Sequence, residues 1–188
     1  MLDDNQIYVI VDIETDGPVP GLYSMLSIGA VASTASKEVG SFYRKVLPYD
    51  KAGQDPDTMD WWKTQPEAWK EVTTGATQPE IVMREFCDWV KSLGAVPVFV
   101  AHPVAFDYTF VGWYLHRFLK EDPFIGHGGG QRILDLGSFT AGKLNLPLSR
   151  ARRSQLAPSF RVGMPEHSHK AIDDARGYGV ILRNVLKA

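Results

Sequence analysis

A run of β-branched and apolar residues near the N-terminus places the tightest limit on the fold. Residues 7–13 read Ile-Tyr-Val-Ile-Val-Asp-Ile, and a short apolar run of this kind favours a buried β-strand. The run leads into Asp12 and Glu14, and Gly17-Pro18 then marks a loop. Because side chains two apart on a strand share a face, the sequence predicts two neighbouring carboxylates where a strand ends. Read alone, the pair is equally compatible with two solvated acids.

The rest of the chain predicts two further strands and then alternating helices and strands. Residues 24–33 and 40–47 complete an expected antiparallel meander of three strands. Beyond them, the pattern predicts strands at 97–101 and 133–136, and helical segments at 58–69, 79–93, 106–119, 138–144 and 171–186. Strands followed by alternating helices and strands indicate an α/β fold, with a mixed sheet flanked by helices.

The composition of the 188 residues bounds the class of protein. The hydrophobic fraction of 44% is that of an ordinary globular chain, and no apolar stretch is long enough for a membrane span. The N-terminus has no signal-peptide pattern. The single cysteine, Cys87, lies in a helical pattern and is interpreted as a small core residue. A reducing cytoplasm is the expected location.

Positive charge is concentrated in one window of an otherwise acidic chain. The net charge is −2, yet residues 138–163 contain five basic residues and no acidic one, so the remainder carries −7. The window is either a solvated loop or a surface that meets phosphates. The basic residues of this window that we expect to contact phosphate are Arg150, Arg152 and Arg153.

Two further groups of residues bear on chemistry. Asp107 follows a predicted buried strand and begins an apolar helix, where a carboxylate is also favoured by the helix dipole alone. His169 precedes the last helix and Asp174 lies about one turn inside it. The spacing of Asp12 and Glu14 and the spacing of His169 and Asp174 both occur by chance. A histidine alone is more often an ordinary surface or core residue. Asp173 and His167 are nearby alternatives.

In combination these residues resemble the DEDDh family of 3′→5′ exonucleases. Asp12-Ile13-Glu14 is similar to the first motif of that family, the segment 100–107 to the second, and His169 to Asp174 to the third; residues 24–32 resemble its second strand. The motifs come in family order. The segment 58–65, Thr-Met-Asp-Trp-Trp-Lys-Thr-Gln, resembles a bacterial and phage branch of exoribonuclease-like proteins. Pro103 departs from the family, which often has Asn there.

The resemblance implies a fold, a reaction and a set of site residues. The fold would be RNase H-like, with a mixed five-stranded sheet and antiparallel front strands, in a single exonuclease domain over residues 1–188. Two Mg²⁺ or Mn²⁺ ions would be held by four acids, with Asp12, Glu14 and Asp174 on the first ion and Asp107 contributing near the second. His169 would be the general base that takes a proton from the attacking water, because imidazole titrates near neutrality.

Contacts with the 3′ end of a single strand are expected from several side chains. Thr15 and Gly17 would approach the terminal ribose, and Met25 and Leu26 would wedge against bases. Trp61, Trp62 and Phe106 would stack on bases, although each tryptophan is equally compatible with core packing. His102 of the second motif is included among the expected substrate-binding residues.

Alternative functions remain open at this point. RNA is favoured because of the 58–65 segment, but no residue can be named that recognises the 2′-OH and would exclude DNA. A non-catalytic nucleic-acid-binding module on the same fold would be expected to lack one of the acids, and all four are present. A structural protein with incidental acids would have no metal-dependent activity. The sequence also leaves open a homodimer.

Overall fold

The computed structural model describes residues 5–126, 128–165 and 168–188. Five strands form one sheet: β1 (Gln6–Thr15), β2 (Met25–Ser33), β3 (Glu38–Lys45), β4 (Val96–Ala101) and β5 (Ile133–Asp135). Their order is β3-β2-β1-β4-β5, with the first three antiparallel and β4 and β5 parallel to β1. The mixed sheet with an antiparallel front is therefore confirmed.

Seven helices surround the sheet in the described part of the chain. They are α1 (Pro56–Lys63), α2 (Pro66–Thr73), α3 (Pro79–Ser92), α4 (Val104–Phe118), α5 (Leu136–Leu144), α6 (Pro158–Arg161) and α7 (Ala171–Leu186). The predicted segments at 79–93, 106–119 and 171–186 match α3, α4 and α7 closely. The predicted tryptophan-rich segment is divided into α1 and α2, because Pro66 begins a second helix. The short helix α6 was not predicted.

The helix ends follow from local sequence. Asp55 caps α1, where its carboxylate accepts a hydrogen bond from the Thr58 N–H at 2.9 Å. Asp135 caps α5 in the same way through the Ser138 N–H. No helix in the described residues is long and apolar enough to cross a bilayer. Cys87 is buried in α3, as predicted.

The two faces of β1 pack against different helices. Val9, Val11 and Ile13 contribute to a core shared with α3 and α4. Tyr8 and Ile10 pack into a second core with Ile181, Leu182 and Val185 of α7. Because alternate residues of a strand face opposite sides, the even-numbered row that continues from Ile10 reaches Asp12 and Glu14 on the α7 side of the sheet.

Candidate active site

Asp12 and Glu14 lie where β1 ends, on the face that α7 covers. Asp12 is paired with Gly29 of β2 and Glu14 with Ser27. A register irregularity between Glu14 and Thr15 ends the regular pairing, and irregularities of this kind redirect side chains beside functional sites. The sequence pattern thus places both carboxylates at the edge of the second core, where apolar packing gives way to a cavity.

Gly29 brings the third carboxylate to the same place. A Cβ atom at this position would lie 2.3 Å from the backbone nitrogen of Ile172, so only glycine allows the start of α7 to lie against β2 this closely. Asp174 is within the first turn of that helix. As a result, one carboxylate oxygen each from Asp12, Glu14 and Asp174 lie within 4.8 Å of one another.

Asp107 lies beside this group of three and outside its 4.8 Å limit. It is 4% exposed, in the first turn of α4. Burial raises the pKa of its carboxyl, and the nearby backbone N–H groups of Asp107 itself and of Ile13 lower it in part. Its charge also raises the pKa values of Asp12 and Glu14. The structure therefore groups three of the four expected acids, with Asp107 near them.

Burial and mutual repulsion make the ionised acids costly. Burial raises the pKa of Asp12 well above its usual range, and Asp107, Glu14 and Asp174 raise it further. Burial, followed by Asp174 and Asp107, raises the pKa of Glu14 to about 8. Burial raises the pKa of Asp107 to about 7. Shifts of this size in several adjacent carboxyls are typical of functional sites.

Arg153 supplies a positive charge inside this group. Its guanidinium donates to the Asp174 carboxylate and forms an ion pair with it. It also lies over the Tyr178 ring, 5.8 Å from the centroid, and lowers the pKa of Asp12. Tyr178 was not predicted as a site residue. It follows Asp174 by four positions on α7 and therefore projects from the same face of the helix. This spacing is the signal in the sequence that could have identified it.

His169 lies on the wall of the cavity that contains the acids. The cavity has a volume of about 820 Å³ and is lined by Asp12, Glu14, His102, Arg152, Arg153, Arg161, His169, Asp174 and Tyr178, among others. His169 precedes α7 and has φ 52°, in the left-handed region that few non-glycine residues adopt. Asp173, the alternative to Asp174, accepts a hydrogen bond from the Ser168 hydroxyl at 2.7 Å. His167 lies outside the described residues.

A smaller cavity of about 260 Å³ shares Ile13 and Glu14 with the larger one. Its walls are formed by Ile13, Glu14, Thr15, Gly17, Pro18, Thr58, Trp61 and Phe106. Thr15, Gly17, Trp61 and Phe106 were expected near the substrate, and the structure brings them together here. Gly17 is close to the Tyr23 ring, which a Cβ atom would approach to 2.3 Å. Thr58 was not predicted, and no spacing in the sequence distinguishes it.

Three of the expected substrate contacts are wrong, because their side chains lie in the core. Met25 is 0% exposed, Leu26 1% and Trp62 2%. Strand β2 is covered on both faces, which leaves no room for Met25 or Leu26 to meet a base. The Trp62 indole N–H donates to the Thr15 carbonyl at 2.9 Å, so this tryptophan supports the end of β1 from inside.

The other expected contacts divide between the cavity wall and the surface around it. Arg152 and Arg153 line the larger cavity, together with Arg161, which was not among the expected contacts. Arg150 is exposed at the end of the short turn Leu148–Arg150. It is not among the described residues that line the cavity. His102 lines the cavity and lies against Gly137, where a Cβ atom would be 2.3 Å from its ring. Pro103 lines the cavity at the position where the family often has Asn.

Comparison with known proteins identifies the chain as a 3′–5′ exonuclease. The family model described as "3′-5′ exoribonuclease Rv2179c-like domain" matches residues 7–186. The chain therefore belongs to the Rv2179c-like 3′–5′ exoribonuclease domain family. The resemblance drawn from the three motifs and the 58–65 segment is thereby confirmed, as is the enzyme class.

Comparison with individual proteins agrees with this membership. The chain is 32% identical over 192 residues to the 3′-5′ DNA exonuclease Cap18 of Escherichia coli, covering 100% of this chain and 95% of that protein. The fold is similar to that of the nuclease domain of 3′hExo, a DEDDh family member bound to rAMP, with a TM-score of 0.70 at 12% identity over 96% of this chain and 92% of that chain.

The same fold occurs within a longer nuclease. E. coli exonuclease I in complex with a dT13 oligonucleotide matches with a TM-score of 0.68 at 17% identity, over 97% of this chain and 41% of that chain. These structural similarities confirm the expected RNase H-like fold.

Proposed function

We propose that residues 1–188 form a single metal-dependent exonuclease domain that hydrolyses single-stranded nucleic acid from its 3′ end to nucleoside 5′-monophosphates. The observation that carries the proposal is the group of three carboxylate oxygens from Asp12, Glu14 and Asp174 within 4.8 Å. Their origin in β1 and α7 means that the fold itself, and not a chance surface arrangement, brings them together. The buried free thiol of Cys87 supports a reducing compartment, the cytoplasm.

The donor set fits divalent cations. Carboxylate oxygens are the hard ligands that Mg²⁺ and Mn²⁺ prefer, and the raised pKa values of Asp12 and Glu14 show how strongly these groups need positive charge when ionised. Asp12, Glu14 and Asp174 would hold one ion, and Asp12 with Asp107 would hold a second. Two ions in such a site stabilise the attacking and leaving oxygens of an in-line displacement.

His169 is proposed as the general base. It lines the same cavity as the acids and lies two residues before α7 begins. The helix that carries Asp174 therefore also constrains the backbone at His169. The imidazole would accept the proton of the attacking water, which a residue that titrates near neutrality does well. Asp173, the alternative to Asp174 as the acid of the third motif, instead contacts Ser168 and Arg176.

The two cavities suggest how a strand end lies on the enzyme. Arg152, Arg153 and Arg161 give the larger cavity a basic wall, suited to the phosphates near the scissile bond. Trp61 and Phe106 border the smaller cavity, where the terminal nucleoside would lie, with Thr15 and Gly17 near its ribose. Glu14 lines both cavities, and the bond to be cut would therefore lie over the acids.

RNA and DNA are both candidate substrates, each with its own support. The description of the family model, exoribonuclease, supports RNA, as does the tryptophan-containing segment 58–65. DNA is the second candidate because the relative that is 32% identical over the full chain is a DNA exonuclease.

The test is a digestion of 5′-labelled single-stranded RNA and DNA of matched sequence with Mg²⁺ or Mn²⁺. We expect a ladder that shortens from the 3′ end and disappears with EDTA and in Asp12→Ala. Asp88→Ala is the matched acidic control, because Asp88 is exposed on α3, away from both cavities. The rate ratio of the two substrates decides between RNA and DNA. Binding without shortening would identify a non-catalytic nucleic-acid-binding module instead.

A further inference from the structure

The ring of His169 contacts a helix other than α7, the helix that follows it in the chain. Its backbone is left-handed, with φ 52°, and it lies before the first residue of α7. The ring makes an edge contact with Trp61, with centroids 5.3 Å apart and an interplanar angle of 76°. Aromatic pairs favour this edge-to-face arrangement. Trp61 belongs to α1, far away in sequence.

The neighbouring Lys170 is attached to the same region of the molecule. Its ammonium group lies 5.0 Å from the centroid of the Tyr43 ring and 3.8 Å from a carboxylate oxygen of Glu71. Glu71 also accepts a hydrogen bond from the Tyr43 hydroxyl at 2.9 Å. Side chains of β3 and α2 therefore contact Lys170, the residue after His169, while α1 contacts the ring of His169.

Trp61 is in turn connected to the strand that carries the acids. It packs edge-on against Trp62, with centroids 4.8 Å apart, and Trp62 donates to the carbonyl of Thr15. Thr15 directly follows Glu14. The chain of contacts from β1 through two tryptophans ends at the His169 ring, so the imidazole is positioned relative to the acids.

Core packing does not account for Trp61. It is 40% exposed, whereas its neighbour Trp62 is buried in the small core formed with Leu26 and Val72. We propose that Trp61 is a positioning residue that orients the imidazole of His169 for proton transfer, and that the pair of helices α1 and α2 serves to anchor the general base. The proposal rests on the proposed role of His169.

A rival role for Trp61 makes different predictions. The Trp61 ring also borders the smaller cavity. In the rival role, it would stack on the terminal base there and would not act through His169. A stacking role would raise KM and would be lost with a substrate whose 3′-terminal nucleotide is abasic. A positioning role lowers kcat equally for the normal and the abasic substrate, because it acts through His169.

The first experiment compares Trp61→Ala, Trp61→Phe and the control Trp69→Phe on both substrates. Trp69 contacts Trp62 and does not touch His169 in the described contacts. We expect kcat of Trp61→Ala to fall about tenfold, within the ~10² that a misplacement of about 1 Å can cost, with KM little changed. Trp61→Phe should recover most of the rate. A raised KM with unchanged kcat, or no effect with the abasic substrate, would overturn the proposal.

The second experiment places the same change in a His169→Ala background. If Trp61 acts only through His169, adding Trp61→Ala should change kcat by less than about twofold. A change of that size is within the usual deviation from additivity of two mutations. A full tenfold further loss contradicts the proposal. If His169→Ala itself retains its activity, the general base of the proposed function fails, and this inference fails with it.

A measurement without turnover completes the test. The ring protons of His169, assigned in NMR spectra by their loss in His169→Ala, should carry a ring-current shift from Trp61 in metal-free protein. The shift should vanish in Trp61→Ala and persist in Trp69→Phe. Unaltered His169 signals in Trp61→Ala would show that the two rings are not in contact, and would overturn the proposal even with kcat lowered.

Discussion

At the level of single residues, the site brings several carboxylates close together. Asp12, Glu14 and Asp174 form one group with Asp107 nearby, and the guanidinium of Arg153 pairs with Asp174. Three of the acids have pKa values raised chiefly by burial. The metal-free protein therefore holds part of this group protonated near neutrality, and added cations would displace those protons.

His169 gives the sharpest prediction at a single residue. We expect His169→Ala to lower kcat by roughly 10²–10⁴, the usual contribution of a general base, because water then loses its proton acceptor. Metal binding, followed by titration calorimetry, should be largely unchanged, because the carboxylates remain. Near-normal turnover in this variant would exclude the assignment, and weakened metal binding would show that His169 is needed for the geometry of the acids.

Arg152 and Arg150 separate the phosphate-binding wall from the surface around it. Arg152 lines the larger cavity, whereas Arg150 does not. Each phosphate contact to a single strand contributes about −0.7 to the slope of log K against log salt concentration. In the Asp12→Ala background, which stops cleavage, Arg152→Ala should reduce the slope by about that amount. Arg150→Ala should leave it unchanged, and equal slopes for both variants would argue against a basic wall.

At the level of elements, the placement of α7 depends on a residue with no side chain. A methyl group at position 29 would meet the backbone of Ala171 and Ile172, and a backbone cannot move without shifting the whole helix. Gly29→Ala should therefore displace Asp174 from Asp12 and Glu14. We expect a loss of activity of up to about 10² and a destabilisation of about 1–3 kcal/mol.

Gly142→Ala is the matched control for this prediction. Gly142 lies in α5 with nothing within 4 Å of its Cβ position, and alanine in a helix is favoured over glycine by about 0.5–1 kcal/mol. Its melting temperature should be unchanged or slightly raised, and its activity normal. Comparable metal affinity in Gly29→Ala and the native protein would show that α7 tolerates the methyl group.

Hydrophobic pattern predicted most of the elements, but not which face of a short element is buried. Residues 7–13, 79–93 and 171–186 were located correctly because their periodicity is long or their β-branched content is high. Trp61 and Trp62 are adjacent and about 100° apart on a helix of only eight residues. Such a helix has too few turns to reveal its phase, so the sequence could not distinguish the tryptophan in the core from the one at the cavity.

The same limit explains the other differences at the site. Met25 and Leu26 begin a strand that is buried on both faces, where no alternation indicates an exposed side. The three acids of β1 and α7 were predictable because the strand period and the first turn of a helix fix their directions. Asp107 depends on how α4 packs against β1, a tertiary distance that no local pattern encodes.

At the level of the whole molecule, the stability of the protein should depend on pH and metal together. Glu14 has a folded-state pKa of about 8 against an ordinary value of 4.5, and Asp107 of about 7 against 3.8. For each residue, between its ordinary pKa and its folded-state pKa, the folded state holds a proton that the unfolded state has lost. The free energy of unfolding therefore decreases as pH rises through this window, provided that no metal is bound.

Glu14→Gln tests this linkage because glutamine mimics the protonated acid at every pH. In EDTA, the native protein and the variant should melt at similar temperatures at about pH 4, and the variant should melt increasingly higher as the pH rises to about 8, because unfolded Glu14 loses its proton from about pH 4.5 while folded Glu14 keeps it. Saturating Mg²⁺ should raise the melting temperature of the native protein more than that of the variant, because a ligand present at about 100 times its Kd stabilises the protein by about 2.7 kcal/mol and the variant has lost one carboxylate ligand. Melting curves that are independent of both pH and Mg²⁺ would mean that the acids neither repel one another nor bind cations as a group.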